Sequence, residues 1–193
     1  MAKMAKMVLA CATVIEEMLP LLPSGVGHKV LDFGLHVNPA KLKEVLQEEI
    51  DRLSEEAETV ILGYGLCSNA VLGLRATNCT LVVPRVDDCI AILLGSNQRY
   101  KEEFDRSPGT YLLSHGWIEH SQDPYKEYRR VKDKYDEETA RWVAGETMKG
   151  YHRLVLIETS ARPRDGPPVH RSAFRPPRRS AARPRPRPPR PPR

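Results

Sequence analysis

The stretch Val60-Ile-Leu-Gly-Tyr-Gly-Leu-Cys67 decides the fold, because a short apolar run that ends in glycines and a cysteine is typical of a buried strand. Two similar runs precede Cys11 (residues 7–10) and Cys89 (residues 81–88). A helical pattern follows each run, and this alternation predicts an α/β fold with an open, mostly parallel sheet flanked by helices. The ends of parallel strands meet at one edge of such a sheet, where ligands bind.

The segments between these runs support the alternation. Ala12–Leu22 has apolar residues at helical spacing, His28–Phe33 reads as a second strand, and Asn38-Pro39 begins a long amphipathic helix. Beyond it we predict strands at 59–62, 80–84, 110–113 and 151–158, a short helix at 68–75, and helical segments at 89–94, 97–106 and 123–148.

The last 33 residues differ in composition from the rest. Residues 161–193 contain 11 Arg, 11 Pro and one acidic residue, so this tail carries +10 while residues 1–160 carry −5. We expect a single α/β domain over 1–160 and a disordered tail over 161–193. The tail is either a frameshifted end of GC-rich coding sequence, which would leave the fold truncated at its C-terminal side, or a genuine basic arm that binds polyanions non-specifically.

Other classes of protein are disfavoured. The acidic body is an unfavourable nucleic-acid binder, and no run approaches the roughly 20 apolar residues of a membrane span. The four cysteines form no C-x-x-C pair, and no secretory segment precedes the first strand. We therefore expect a cytoplasmic protein with free thiols, no membrane partner and no nucleic-acid partner except through the tail.

Three cysteines end predicted strands, and we expect them to cluster at one edge of the sheet. Cys11, Cys67 and Cys89 would then be metal ligands, with an open fourth position. An iron–sulfur cluster with one labile iron fits this set, and so does zinc completed by His36 or water. The alternative is that all three are small core residues. Cys79 begins a strand and should lie apart.

The loop Gly63–Asn69 joins a strand to the predicted short helix. Glycines such as Gly63 and Gly65 permit positive φ, and a helix start would favour an anion or lower the pKa of the Cys67 thiol. Ser68 replaces the third glycine of a dinucleotide fingerprint, and Asn69 follows it. A metal-free module that binds a phosphorylated small molecule at this loop is the alternative function.

Polar residues near the same edge would assist the site. Asp88 is either a ligand or a helix cap, and carboxylates beside Cys89 should raise the pKa of its thiol. His36 is a candidate ligand or proton shuttle, and Arg85 would hold a phosphate or carboxylate. The pair His115 and His120 has no recognised metal spacing and is expected to pack in a loop.

Separated motifs agree in order with one known family. The runs GYGLCSNAVLGLRA (63–76), LVVPRVDDCIAILLGS (81–96) and PGTYLLSHGWIE (108–119) resemble an uncharacterised bacterial and archaeal family catalogued as domain of unknown function 1638. VLACATVIEEM and FGLHVNPAKL extend the resemblance over about residues 7–160. Family members continue as ordinary α/β sequence where this chain becomes the Arg/Pro tail. The resemblance implies no settled activity, only a one-carbon or metal-cofactor context with corrinoid-system proteins as partners.

Overall fold

A computed structural model describes residues 3–159; residues 1–2 and 160–193, with the predicted tail, lie outside the described part. Four strands form the main sheet: β1 (Met4–Cys11), β2 (Val26–Leu31), β3 (Ala57–Gly63) and β4 (Thr80–Val82). They lie in the order β2-β1-β3-β4, and every neighbouring pair is parallel. The predicted α/β fold with a parallel sheet is confirmed.

Helices follow β1, β2 and β4, whereas turns join β3 to β4, and a second, smaller sheet comes later in the chain. The described residues form seven α-helices: α1 (Ala12–Met18), α2 (Pro39–Glu56), α3 (Cys89–Leu93), α4 (Asn97–Arg106), α5 (His115–His120), α6 (Pro124–Lys134) and α7 (Glu137–Thr147). Two 3₁₀ helices span Leu19–Leu21 and Phe33–Val37. The smaller sheet pairs β5 (Thr110–Leu113) with β6 (Arg153–Leu156), again in parallel. None of the helices in residues 3–159 combines the length and apolar composition needed to cross a bilayer.

The core lies between the main sheet and α2. Asn38 caps α2 by accepting a hydrogen bond from the Lys41 backbone N–H at 3.1 Å, and Pro39 occupies the first turn. The predicted apolar stripe of α2 is inaccessible to solvent at Leu42, Leu46, Ile50 and Leu53. Strand residues Leu9, Val60 and Leu62 belong to the same apolar cluster. This burial is the main term that stabilises the fold.

Strand order places a crevice at the carboxyl edge of the sheet. The chain passes from β1 to β2 on one side and returns to β3 on the other, so the order reverses between β1 and β3. Cys11 pairs in register with Leu31, and Ala10 with Gly63, so these strands end together. Ligands in open α/β sheets bind at such a switch point.

Two local predictions are wrong, at residues 68–75 and at the histidine pair. Residues 68–75 form turns instead of a helix, because the chain is left-handed at Cys67–Asn69. The segment 123–148 is mostly helical, as predicted, with a break at Tyr135-Asp136, where the Asp136 carboxylate caps α7 by accepting from Thr139 N–H at 2.7 Å. His115 and His120 lie at the two ends of α5, not in a loop.

A buried carboxylate ties α1 to the later part of the chain. Glu17 is 5% exposed, and its Oε1 accepts from the Gly116 N–H at 3.3 Å. Its Oε2 accepts from the hydroxyl of Thr159, which lies beyond β6. Gly116 has to be glycine, because a Cβ there would stand 2.2 Å from the carbonyl oxygen of Thr13. The Glu17 carboxylate thus anchors α1, which begins next to Cys11, to both α5 and the segment that follows β6.

Candidate functional site

Cys11 ends β1 and is buried at the carboxyl edge of the main sheet. Its Sγ lies 2.8 Å from the Thr13 hydroxyl, which is itself inaccessible to solvent. Burial raises the pKa of the Cys11 thiol, and the Thr13 hydroxyl and the backbone N–H of Val14 oppose that shift. The thiol is therefore held protonated in the ligand-free chain although donors suited to a thiolate are in place.

Cys67 follows β3 in a strained turn. Cys67, Ser68 and Asn69 have φ of 45°, 57° and 67°, so three consecutive non-glycine residues are left-handed. Each such residue costs about 1 kcal/mol, and neighbouring structure must impose it. Burial raises the pKa of Cys67 to about 11, with the charges of Cys11 and Asp88 adding to the effect and the Gly65 N–H opposing it. The prediction of a helix start and a lowered pKa at Cys67 is wrong.

Cys89 is the first residue of α3 and is buried. Burial raises the pKa of its thiol, and the charges of Cys11, Asp88 and Cys67 raise it further. The predicted effect of a neighbouring carboxylate is confirmed. Asp88 caps α3, since its Oδ1 accepts from the N–H groups of Ile90 and Ala91 at 2.9 and 3.3 Å. Its Oδ2 accepts from the Tyr100 hydroxyl at 3.2 Å, so protein donors occupy both oxygens.

Tyr64 belongs to the same buried cluster as Cys11 and Cys89, and Cys67 packs against that cluster. Its side chain is 0% exposed, and its hydroxyl has no hydrogen-bond partner among the described residues. Burial raises the pKa of this phenol, and the charges of Cys11, Cys67 and Cys89 raise it further, as does Asp32. A buried hydroxyl without a partner loses about 1–3 kcal/mol of hydrogen-bonding free energy.

The three sulfurs are not packed as tightly as ligands of one small ion. Among residues 3–159, only Glu16, Glu119 and His120 bring three potential ligand atoms within 4.8 Å of one another. Glu16 is on α1, and the other two are exposed on α5, with His120 Nε2 3.4 Å from a Glu16 carboxylate oxygen. The cysteine sulfurs are therefore more widely spaced than this surface group.

His36 lies within an aromatic stack that reaches Tyr64. Its ring stacks on Phe33 and on Tyr64, with centroids 5.0 and 5.8 Å apart. Its Nδ1 is 3.0 Å from the Phe33 carbonyl oxygen, so Nδ1 carries the proton and the lone pair is on Nε2. Burial lowers the pKa of His36, which favours this neutral form. Trp117 packs edge-on against Phe33 at 5.2 Å and closes the stack.

The glycines of the 63–69 loop allow close packing instead of positive φ. A Cβ on Gly63 would stand 2.5 Å from the Cβ of Ala10, and one on Gly65 would stand 2.7 Å from the Asp88 backbone. The loop N–H groups are also in use, since Leu66 N–H donates to the Val86 carbonyl at 3.0 Å. Cys67 N–H donates to the Asp87 carbonyl at 3.2 Å. These two donors are thus unavailable to a phosphate.

The remaining candidates lie outside this cluster. Ser68 and Asn69 are exposed, and Arg85 is exposed in the loop between β4 and α3. Cys79 precedes β4 at the opposite edge of the sheet, where its thiol lies 3.2 Å from the Ser54 hydroxyl. Sequence reasoning missed Tyr64 and Thr13, although the position of Tyr64 between two glycines after a buried strand was a usable signal.

A model of one protein family matches residues 30–167, well over half of the chain. Its description reads "Protein of unknown function (DUF1638)". No curated protein and no solved structure matches the chain.

Proposed function

The chain belongs to the DUF1638 family, and on this premise we propose that it holds a thiolate-bound metal centre at the carboxyl edge of its main sheet. Cys11, Cys67 and Cys89 would be the protein ligands. The observation that carries the proposal is the Tyr64 hydroxyl, which is fully buried in the cluster that contains the cysteines and has no hydrogen-bond partner among residues 3–159. Such a group is usually satisfied by something bound beside it.

The electrostatics of the ligand-free site favour a cation. Each of the three thiols has a raised pKa, and Cys89 responds to the charges of both other cysteines. Three buried thiolates would repel one another, and a metal removes that repulsion by binding them. Binding would release the thiol protons, so we expect the affinity to rise with pH.

The spacing of the sulfurs disfavours a single zinc ion, and we propose a cluster instead. Tetrahedral zinc with Zn–S bonds of about 2.3 Å needs sulfurs only about 3.8 Å apart. The three cysteine sulfurs of this chain are not all within 4.8 Å of one another. In an iron–sulfur cluster each cysteine binds a different iron, so the sulfurs lie further apart. His36 Nε2 or a small molecule would complete the fourth position.

The residues around the thiols suit a protected, reducing site. Tyr64 would donate a hydrogen bond to an anionic atom of the bound centre, and the aromatic stack of Phe33, His36 and Trp117 would limit access of water. We propose a reducing cytoplasm as the compartment and a role accessory to corrinoid-dependent methyl transfer as the setting.

Metal analysis of single-cysteine variants tests the proposal. The full chain is reconstituted anaerobically with iron and sulfide, and iron, acid-labile sulfide and the absorption spectrum are measured. We expect a sulfide-containing chromophore that is lost in Cys11→Ser, Cys67→Ser and Cys89→Ser. Cys79→Ser is the matched control, because it changes the same atom at the opposite edge, and it should load like the unaltered chain.

Other outcomes each have a definite meaning. Tight zinc binding without a chromophore would reject the cluster and retain the thiolate ligands. Equal loading of Cys67→Ser and Cys79→Ser would reject the proposed ligand set. Absence of any metal uptake would leave the phosphorylated-ligand alternative, which binding of inorganic phosphate would then have to support.

A further inference from the structure

A groove on the outer side of the 86–88 loop has a lining unlike that of the cysteine site. Its volume is about 450 Å³, and it is lined by Asp87, Tyr100, Lys101, Phe104 and Asp105. Four of these five residues lie on α4, and the fifth follows β4. A smaller cavity of about 140 Å³ shares Tyr100 and Phe104 with it. The groove is open to solvent, so a ligand can reach it directly.

Two aromatic rings form the apolar part of the groove. Tyr100 and Phe104 are four residues apart on α4 and therefore lie on one helix face. Phe104 is 56% exposed, which leaves much of its ring uncovered in the free chain. The Tyr100 hydroxyl donates to the Asp88 carboxylate at 3.2 Å, and donation to an anion makes the phenol ring more electron-rich. Electron-rich ring faces attract cations.

The charges around these rings are mainly negative. Burial raises the pKa of Tyr100 to about 12, and the charges of Asp88 and Asp87 raise it further, which shows a negative potential at its hydroxyl. Asp87 and Asp105 form no salt bridge with any residue of the described chain, unlike Glu49 and Glu56 of α2 and Glu137 of α7. Lys101 is the single cation of the lining and pairs with neither carboxylate within 4 Å.

We propose that this groove binds a substituted ammonium ion, with the cationic head against the faces of Tyr100 and Phe104 and its charge balanced by Asp87 and Asp105. Aromatic faces flanked by carboxylates are the chemistry by which proteins recognise organic cations. The volume accommodates a head group with several methyl substituents. The site is separate from the metal proposal, because no cysteine lines it.

Choline and its neutral isostere 3,3-dimethylbutan-1-ol form the decisive pair of probes. Both have the same shape and hydroxyl, and only choline is charged. Titration of the full isotopically labelled chain, followed by amide chemical shifts, should give at least tenfold tighter binding of choline, with the largest shifts at α4 and residues 86–88. Equal affinities of the two probes, or shifts located elsewhere, would overturn the proposal.

Variants of α4 give predictions of opposite sign. Asp105→Asn should weaken choline binding at least fivefold, and Phe104→Leu should weaken it by loss of the ring face. Lys101→Met should strengthen it two- to threefold, because a like charge is removed. All three positions are exposed or partly exposed, so the fold should persist. Unchanged affinity in Asp105→Asn would reject the site.

Cys67→Ser separates this proposal from the metal centre. Choline affinity should be the same in that variant, whether or not the variant loads metal. Loss of choline binding in Cys67→Ser with an intact fold would contradict the independence of the two sites. Loss of metal alone would leave the groove proposal standing.

Discussion

The two edges of the main sheet each carry cysteine, and they satisfy their polar groups differently. At the amino edge the Ser54 hydroxyl donates to the Ile50 carbonyl at 2.7 Å, which leaves it to accept from the Cys79 thiol. Lys3 Nζ donates to the carbonyls of Ser54 and Asn78 at 2.6 and 3.1 Å. At the carboxyl edge the Tyr64 hydroxyl has no partner in residues 3–159.

Backbone geometry repeats the contrast. Three consecutive left-handed residues that are not glycine follow β3 at the carboxyl edge, whereas the positive φ found next to the amino ends of the main strands in the described chain is that of one glycine, Gly25, before β2. Both edges arise from the same strands, so strand packing alone does not explain the difference. A fold keeps strain and an unsatisfied buried group of about 1–3 kcal/mol each mainly where binding recovers the free energy. This contrast supports the proposal of a binding site at the carboxyl edge.

The largest expected effect is on the packing of the two loops at the carboxyl edge. Gly65→Ala would place a Cβ 2.7 Å from the Asp88 backbone, which has to move and break the paired loop hydrogen bonds. We expect a loss of about 3 kcal/mol in the free energy of unfolding, measured by urea titration. Gly145→Ala in α7 is the control, since no atom lies within 4 Å of the added Cβ, and it should gain up to about 1 kcal/mol. Equal changes in both would refute the close-approach explanation.

The thiols should make the ligand-free chain less stable at alkaline pH. The pKa of Cys67 is about 11 in the folded chain against 9.0 for an unperturbed thiol. Between pH 9 and pH 11 the Cys67 thiol loses its proton in the unfolded state before it does so in the folded state. The contribution of this thiol to the free energy of unfolding is therefore complete below pH 9 and falls as the pH rises towards 11. With allowance for partial exposure, we expect about 2 kcal/mol from Cys67 across this window.

Unfolding by urea at pH 8, 9, 10 and 11 with a chelator present measures how the free energy of unfolding changes with pH. This pH dependence should be weaker in Cys67→Ser than in Cys79→Ser, which keeps the Cys67 thiol. The same pH dependence in both variants would show that the Cys67 thiol is not shielded in the folded state.

A smaller effect of opposite sign is expected at Tyr64. Tyr64→Phe removes a buried hydroxyl without a partner, so the ligand-free chain should gain about 1 kcal/mol in stability. Tyr100→Phe removes a hydroxyl that is bonded to Asp88 and should lose a similar amount. Destabilisation by Tyr64→Phe would mean that the hydroxyl already has a partner. Metal affinity of the same variant should fall.

The smallest change in the free energy of unfolding is expected for a substitution at the amino edge of the main sheet. Ser54→Ala removes the Ser54–Ile50 and Ser54–Cys79 contacts but places a better helix former in α2, so we expect a loss of about 0.5 kcal/mol. Metal loading should not change. Altered loading in this variant would show that the two edges are coupled, contrary to the comparison.

Apolar periodicity was sufficient to predict the strands that lead to Cys11 and Cys67, but the prediction of a buried strand running up to Cys89 is wrong, because β4 ends at Val82 and residues 83–88 form no strand. The runs before Cys11 and Cys67 do end together, because parallel register aligns Ala10 with Gly63. Burial of Cys89 beside Asp88 also followed from the order of residues. These features depend on local pattern and on the geometry common to all parallel sheets.

Local sequence patterns could not predict the left-handed turn at Cys67–Asn69 or the role of Tyr64. Left-handed geometry at non-glycine residues is imposed by the pairing of this loop with residues 86–88, which are distant in sequence. Gly65 was expected to have positive φ, but it is glycine because Asp88 approaches it. Tyr64 reads as an ordinary core residue until its hydroxyl is seen to lack a partner. Each of these depends on contacts that only the assembled fold creates.

The two hydrogen bonds of the Glu17 carboxylate have a consequence for folding during synthesis. The two carboxylate oxygens bond to Gly116 and Thr159, which are 99 and 142 residues later in the chain. The four strands of the main sheet can pair as soon as residue 82 has left the ribosome, but this carboxylate stays unsatisfied until residue 159 follows. A nascent chain would therefore contain a formed sheet and an unanchored α1. Cys11 would be positioned together with the sheet, because it pairs with Leu31 at the end of β1, whereas the helix that follows it would be fully anchored only once Thr159 has been made.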